Sequence, residues 1–186
     1  MRHRVFHLTL LFVLISPMGL HAQTNTLLGD EIKHIGVLGG PFLKLTSFGE
    51  QINYQAGAEL VGFFNRQLIL GINASSSVKK LPGTQYHLTN VNGVFGYQHR
   101  SNRLLYFAST LSAGLGAIVD NPLSKKFLDK FLVVEPQASL VINVIKHLKL
   151  SASLSYRFID GLDQPTMSAF EASGFSISGQ FHFGIF

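Results

Sequence analysis

Glu135 and Arg157 are the two side chains whose types and spacing best suit chemistry in this sequence. Each lies on the polar side of a segment in which apolar and polar residues alternate. Pairing Val144 with Leu148 across the turn between the segments sets Glu135 opposite Arg157. A carboxylate and a guanidinium removed from water are expected to pair, because either charge alone is costly to desolvate. We predict an ion pair that stabilises the fold; a gate or a binding contact is the alternative.

Other polar residues share the inward phase of this alternation and extend the predicted polar lining. They are Glu59, Gln55, Asn73, Asn92, Gln98, Gln137 and Gln180. Lysines instead cluster in two long connections between apolar segments, as Lys79, Lys80, Lys125, Lys126 and Lys130. Basic loops of this kind are either simply solvated or bind phosphate groups. They are our candidate contacts for lipopolysaccharide.

A histidine and a serine in one short connection are the residues that could support nucleophilic catalysis. His99 and Ser101, followed by Asn102, resemble the His-x-Ser-Asn segment of lipid A deacylases, which are small outer-membrane barrels. The resemblance implies a base and a nucleophile, but the surrounding sequence does not follow that family. Serine and asparagine are also ordinary turn residues. The histidines show no metal-ligand spacing, and we predict no metal, cofactor or catalytic site.

Period-two alternation predicts the elements that must position these residues. It runs through segments of about ten residues, which is the length of a tilted strand that crosses a bilayer. The predicted strands cover residues 34–45, 53–64, 68–76, 88–99, 104–118, 131–143, 148–158 and 173–185. Short turns alternate with longer connections. We therefore predict an all-β fold, an eight-stranded antiparallel up-and-down transmembrane barrel with its apolar face toward lipid.

The N-terminus predicts export. Arg2 and Arg4 precede an apolar run, and Ala22 follows it at a plausible cleavage point, so residues 1–22 are expected to be a signal peptide and residues 23–186 the barrel. Removing the two arginines lowers the net charge from +5 by two. No nucleic-acid partner is therefore expected. The chain has no cysteine, which excludes a disulfide framework and a lipidated cysteine.

Several segments also resemble a known family. The segment from Phe131 to Pro136, the Ser155–Phe158 segment with Gly161 after it, and the C-terminal Phe183–Phe186 are similar to uncharacterised outer-membrane β-barrel proteins of Bacteroidetes-type bacteria. Gly39, Gly40 and Pro41 are similar too. The resemblance implies an eight-stranded barrel and brings no established activity. The C-terminus differs from the general outer-membrane assembly signal, because Gly184 and His182 precede Phe186 in register.

Together these features predict a Gram-negative outer-membrane protein that is structural or binds through its loops. Its expected partners are outer-membrane lipid, lipopolysaccharide and the barrel assembly machinery, and a monomer is the expected state. Two alternatives remain open at this point. One is a lipid A-modifying enzyme, and the other is a periplasmic barrel that holds an apolar ligand and is polar outside. Because an eight-stranded barrel is filled by its own side chains, a wide pore is not expected.

Overall fold

The computed structural model describes residues 34–48, 51–81, 84–120, 127–164 and 167–185. The predicted signal peptide, Lys125 and Lys126 lie outside these ranges, so the signal peptide stays a prediction. Nearly all of the described chain is strand. The elements are β1 (Ile35–Phe48), β2 (Gln51–Phe64), β3 (Leu68–Ser77), β4 (His87–His99), β5 (Leu105–Val119), β6 (Phe127–Ile145), β7 (Leu148–Asp160), β8 (Asp163–Gln164), β9 (Met167–Ser168), α1 (Ala169–Ala172) and β10 (Gly174–Ile185).

The long strands form one closed sheet. Strands β1 to β7 pair in chain order, and β10 closes the sheet between β7 and β1. Every neighbouring pair is antiparallel. The predicted eight-stranded up-and-down barrel is therefore confirmed. Strands β8 and β9 form a small separate hairpin, which together with α1 belongs to the connection between β7 and β10. Within the described chain, no helix has the length and apolar character to cross a membrane.

The two ends of the barrel differ. At one end, which we call the turn end, β2 joins β3 and β6 joins β7 through the short turns 65–67 and 146–147, and residues 100–104 join β4 to β5. The other end, the loop end, carries the longer connections 78–86, 120–126 and 161–173, together with the two-residue connection 49–50 between β1 and β2. Alternation of short turns and long loops is the pattern of bacterial outer-membrane barrels.

Alternation places apolar side chains on the outside of the barrel. Leu43 is 67% exposed, and Phe107 is 70% exposed. The same outward phase on β10 exposes Phe175, Ile177, Phe181 and other apolar residues. A continuous apolar outer surface around a closed sheet is typical of barrels that face lipid. It is also the reverse of what the soluble periplasmic alternative requires.

The interior has three layers. A polar and charged layer lies in the middle, and an apolar cluster fills each end. The turn-end cluster consists of Leu38, Val61, Phe63, Ile69, Val94, Tyr106, Ala108 and Val141. The loop-end cluster consists of Phe48, Leu81, Leu88, Ile118, Phe131, Val133, Ile159, Leu162 and Ala172. The sequence predicted a polar lining alone, and these two apolar ends were missed.

Of the three predicted hairpin registers, one holds throughout, one shifts, and the third holds along the strands but differs at the turn. Phe64 pairs with Leu68 as predicted. His99 pairs with Phe107 instead of Leu105, a shift of two residues that leaves the facing unchanged.

The third hairpin, between β6 and β7, has its irregularity at the turn. Leu148 pairs with Ile145 instead of Val144, and the predicted register resumes at Asn143 with Lys149. The bulge predicted at Pro136 is wrong, because the pairings on either side of this residue keep one register. The bulge lies instead between Asn143 and Ile145.

The seam between β1 and β10 has a gap that Gly40 and Pro41 create. Pairing runs to Gly39 with Phe183 and resumes at Phe42 with Gln180 in the same register. Proline has no N–H to donate to the ladder. Gly40 approaches the backbone of β10 so closely that an added Cβ would overlap the carbonyl oxygen of Phe181. Glycine is therefore required where the barrel closes.

Candidate functional site

A buried carboxylate is the centre of the charged layer. Glu135, on β6, is 3% exposed. Its Oε1 atom accepts a hydrogen bond from Lys44 Nζ at 2.7 Å and another from the Ser155 hydroxyl. Lys44 lies on β1 and reaches this carboxylate across the interior. The ion pair predicted between Glu135 and Arg157 is therefore wrong in its partner.

Arg157 lies opposite Glu135 in the strand register, as the flanking pairs Val134 with Phe158 and Gln137 with Ser155 show. Its side chain points elsewhere. Nε and Nη2 both donate to the carbonyl oxygen of Ala172, at 3.2 and 2.8 Å. The guanidinium carbon also lies 4.4 Å from the ring centroid of Phe48.

Lys44 and Ser155 both bind Oε1 of Glu135, while the end of α1 offers Arg157 a carbonyl within reach. Arg157 is 2% exposed, and its Nη1 atom has no hydrogen-bond partner within the described chain. The arginine thus ties α1 to the barrel wall. It does not share a short ion pair with Glu135.

Lys44 was missed because β1 alternates poorly in the sequence. Gly39, Gly40 and Pro41 interrupt the alternation of apolar and polar residues, so the sequence does not show which residues of the strand face inward. Counting by twos from Phe42, which is buried, places Lys44 and Thr46 inside as well. That count is the signal that could have found the lysine. Its Nζ atom also lies 5.6 Å from the centroid of the Phe42 ring.

The second acidic residue of the interior takes a histidine as its partner. His182 Nε2 lies 3.3 Å from Glu59 Oε1. Asn73 Nδ2 contacts Glu59 Oε2 at 3.5 Å, and Asn92 donates to Asn73 Oδ1 at 2.9 Å. The structure thus brings three of the predicted polar residues together. His182 is a partner that the sequence did not identify.

The remaining predicted polar residues lie apart from this group. Gln137 donates to Ser139 and Ser153, at 3.1 and 3.3 Å. Gln180 accepts from Ser151 at 3.1 Å. Gln55 is buried on β2. Gln98 lies at the turn end and donates to the Arg66 carbonyl at 3.0 Å. These contacts fill the interior and do not converge on one reactive position.

Lys149 is a further buried cation, 2% exposed, that the sequence did not single out. Its Nζ atom donates to the Tyr106 hydroxyl at 3.0 Å. It also lies 5.3 Å from the ring centroids of Phe63 and Tyr106. The lysine therefore lies at the boundary between the charged layer and the turn-end cluster.

His99 and Ser101 do not form a base and nucleophile pair. Ser101 is buried, and its hydroxyl donates to the carbonyl oxygen of Arg66 at 2.8 Å. His99 is exposed at the end of β4. The serine thus joins two neighbouring turns. Among the described residues, no group of histidine, aspartate and glutamate side chains could hold a metal ion.

The described lysines of the two predicted basic loops lie at the loop end. Lys79 and Lys80 belong to the connection 78–86, whereas Lys130, predicted in a loop, lies in β6 and pairs with Ala117. Lys79, Lys80 and Lys130 are exposed. Lys79 Nζ lies 5.1 Å from the centroid of the Tyr54 ring, which is itself on the outer surface. A cation beside an outward aromatic ring at the edge of the apolar surface is well placed for the boundary between lipid tails and charged head groups.

Helix α1 is held by a capping box next to these loops. Ser168 accepts from the Glu171 N–H at 3.3 Å, and its own N–H and hydroxyl both donate to Glu171 Oε2 at 2.9 Å. These hydrogen bonds, from the backbone first, lower the pKa of the Glu171 carboxyl below its ordinary value. The stabilisation that these hydrogen bonds give to α1 is fully present above the ordinary pKa of a glutamate carboxyl. It is lost as pH falls through the lowered pKa of Glu171.

No family model matches the chain, and no curated protein sequence matches it. Solved structures do. The N-terminal β-barrel domain of OprF from Pseudomonas aeruginosa superimposes with a TM-score of 0.57 at 14% identity, over 81% of this chain and 97% of that one. Neisserial surface protein A gives a TM-score of 0.52 at 15% identity, over 81% and 94%. The fold is therefore that of small outer-membrane eight-stranded barrels.

Proposed function

We propose that this chain is a non-enzymatic protein of the Gram-negative outer membrane, with a structural role or a role in binding through its loop end. The observation that carries the proposal is the distribution of polarity around the closed sheet. Apolar residues cover the outside, and the charges are neutralised or hydrogen-bonded inside. That distribution suits a lipid surround, and the likeness in fold to outer-membrane barrels supports it.

The loop end supports the binding part of the proposal. Lys79, Lys80 and Lys130 are exposed there, and Lys125 and Lys126 belong to the connection that leads into β6, the strand that carries Lys130. Amines at the lipid boundary suit the phosphates of lipopolysaccharide. The barrel assembly machinery is the proposed partner during insertion, with β10 as the strand it would recognise. The likeness to Bacteroidetes-type barrels stays a prediction from the sequence.

Membrane fractionation tests the proposal. We expect the mature protein to begin at Gln23, to sediment with outer membranes in a sucrose gradient, and to migrate differently on gels before and after boiling. Recovery in the soluble periplasmic fraction would contradict a lipid-facing surface.

Mass spectra of lipid A, with and without the protein, test the enzyme alternative. We expect identical spectra. A change that His99→Ala or Ser101→Ala abolishes would replace the proposal with catalysis.

A further inference from the structure

The turn end contains a cavity whose walls are cationic and polar. It has a volume of about 470 Å³. His34, Arg66, Lys146 and Lys149 line it, together with the amides of Gln98 and Asn102. No carboxylate is among the described residues that line it. An adjoining cavity of about 230 Å³ shares Arg66 with it and adds Arg100.

Arg66 and Lys146, the two exposed cations at this cavity, are not among the residues that form ion pairs within the described chain. The ion pair between Lys44 and Glu135 and the contact between His182 and Glu59 both lie in the middle layer of the barrel. Arg66 and Lys146 are exposed, whereas Lys149 is buried beneath them. Several positive charges around one concave space, without a carboxylate in its described walls, favour an anion as the occupant.

Hydrogen bonds between turns hold this cavity in shape. The Arg66 carbonyl accepts from Gln98 Nε2 at 3.0 Å and from the Ser101 hydroxyl at 2.8 Å. Asn143 Nδ2 donates to the Ser101 carbonyl at 2.9 Å. Arg66 itself has a left-handed backbone, with φ of 59°. Because these bonds fix the turns before any ligand arrives, little conformational entropy is lost when a ligand binds.

The rim of the cavity is apolar on the outside of the barrel. Ile35, Ile145 and Ile185 line the same space. Their side chains are 64%, 62% and 72% exposed on the outer surface. A small soluble anion needs no such rim. An amphiphile does, because its charged head can lie among the cations while its chain covers the isoleucines.

We propose that the turn-end cavity binds the phosphate of an anionic amphiphile, with a membrane phospholipid as the source of that phosphate. Arg66 and Lys146 contact the phosphate from the mouth, and the isoleucines contact the acyl chain. The choice of a phospholipid depends on the membrane location proposed above, whereas the binding of a phosphate does not. The site lies at the opposite end of the barrel from the basic loops.

Native mass spectrometry of the full mature barrel in detergent tests the proposal, with phosphatidylglycerol, phosphatidylcholine and inorganic phosphate as separate probes. We expect phosphatidylglycerol to bind at least about tenfold more tightly than either of the others. Arg66→Asn with Lys146→Gln should weaken it by about tenfold to thirtyfold, since each cation near a lipid surface contributes about fivefold. Asparagine tolerates the left-handed backbone at this position.

The matched control is Lys79→Gln with Lys80→Gln, which removes the same charge from the loop end. We expect it to change the affinity less than twofold. An equal loss in both double variants would show that only net charge matters, and no loss in the first would refute the site. If inorganic phosphate binds as tightly as the lipid, the amphiphile is wrong and the source is soluble.

An apolar arm completes the test. Ile35→Ala should weaken phosphatidylglycerol and leave inorganic phosphate unchanged; an unchanged lipid affinity would refute the acyl contact. Each variant is first shown to be folded by its mobility before boiling. Membrane fractionation tests the proposed membrane location independently. A wrong location can therefore be distinguished from a wrong binding site.

Discussion

At the scale of residues, the charged side chains inside the barrel have partners that the alternation within each strand could not predict. The sequence identified Glu135 and Arg157 as inward, because their strands alternate clearly. It could not identify the partner, since Lys44 lies on a strand whose phase is hidden and 91 residues away in the chain. The alternation shows whether a side chain faces inward or outward. Which inward side chains meet across the lumen depends on the order of the strands and on the length of the side chains.

Lys44→Met and Glu135→Gln should each lower the free energy of unfolding by about 3–5 kcal/mol, because each strands a buried charge. The double variant should lose clearly less than the sum of the single losses. Urea unfolding in detergent measures this coupling. The matched control is the cycle of Glu135→Gln with Arg157→Met, whose coupling should be smaller. Equal coupling in the two cycles would contradict the Lys44 pair.

At the scale of elements, the strands were predictable to within a few residues because period-two alternation is specific. The hairpin between β4 and β5 shows the limit of that signal. A shift of two residues keeps every side chain on its face, so alternation cannot detect it. The register is decided instead by Arg100, with φ of 55°, and by the Ser101 hydroxyl, which bonds to the neighbouring turn.

Gly40→Ala should weaken the closing seam, because its Cβ would overlap the Phe181 carbonyl. Forcing a methyl group against backbone costs about 1–3 kcal/mol in packed sites. Gly179→Ala is the matched control on the same seam, since its Cβ would meet nothing within 4 Å. Urea unfolding, followed by the gel mobility of unboiled samples, compares them. Equal midpoints would show that β1 and β10 have room to separate at Gly40.

At the scale of the whole molecule, the layered interior decides what the barrel can pass. The turn-end and loop-end clusters lie on either side of the charged layer. The number of strands predicts a lumen filled by side chains. The two clusters were not predicted, because only the polar residues among the inward-facing positions were considered. Val61 and Phe63 share the phase of Gln55, and the apolar end begins with them.

The protein should give no stable large conductance in planar bilayers, because eight strands leave room for side chains alone. The Lys44→Met, Glu135→Gln double variant should also stay closed, since the apolar clusters at both ends remain. Boiled protein supplies the baseline for the recordings. Reproducible large steps from the unmodified barrel would contradict a filled interior.

The Lys44–Glu135 ion pair joins the first strand of the barrel to the sixth. In the closed sheet, only β10 and β7 separate these two strands. In an open sheet, with β1 and β10 unpaired, β1 is one edge strand and four strands, β2 to β5, separate it from β6. We therefore expect the pair to form only when β1 joins β10. Closure is then stabilised both by the β1–β10 ladder and by the neutralisation of two charges inside the barrel.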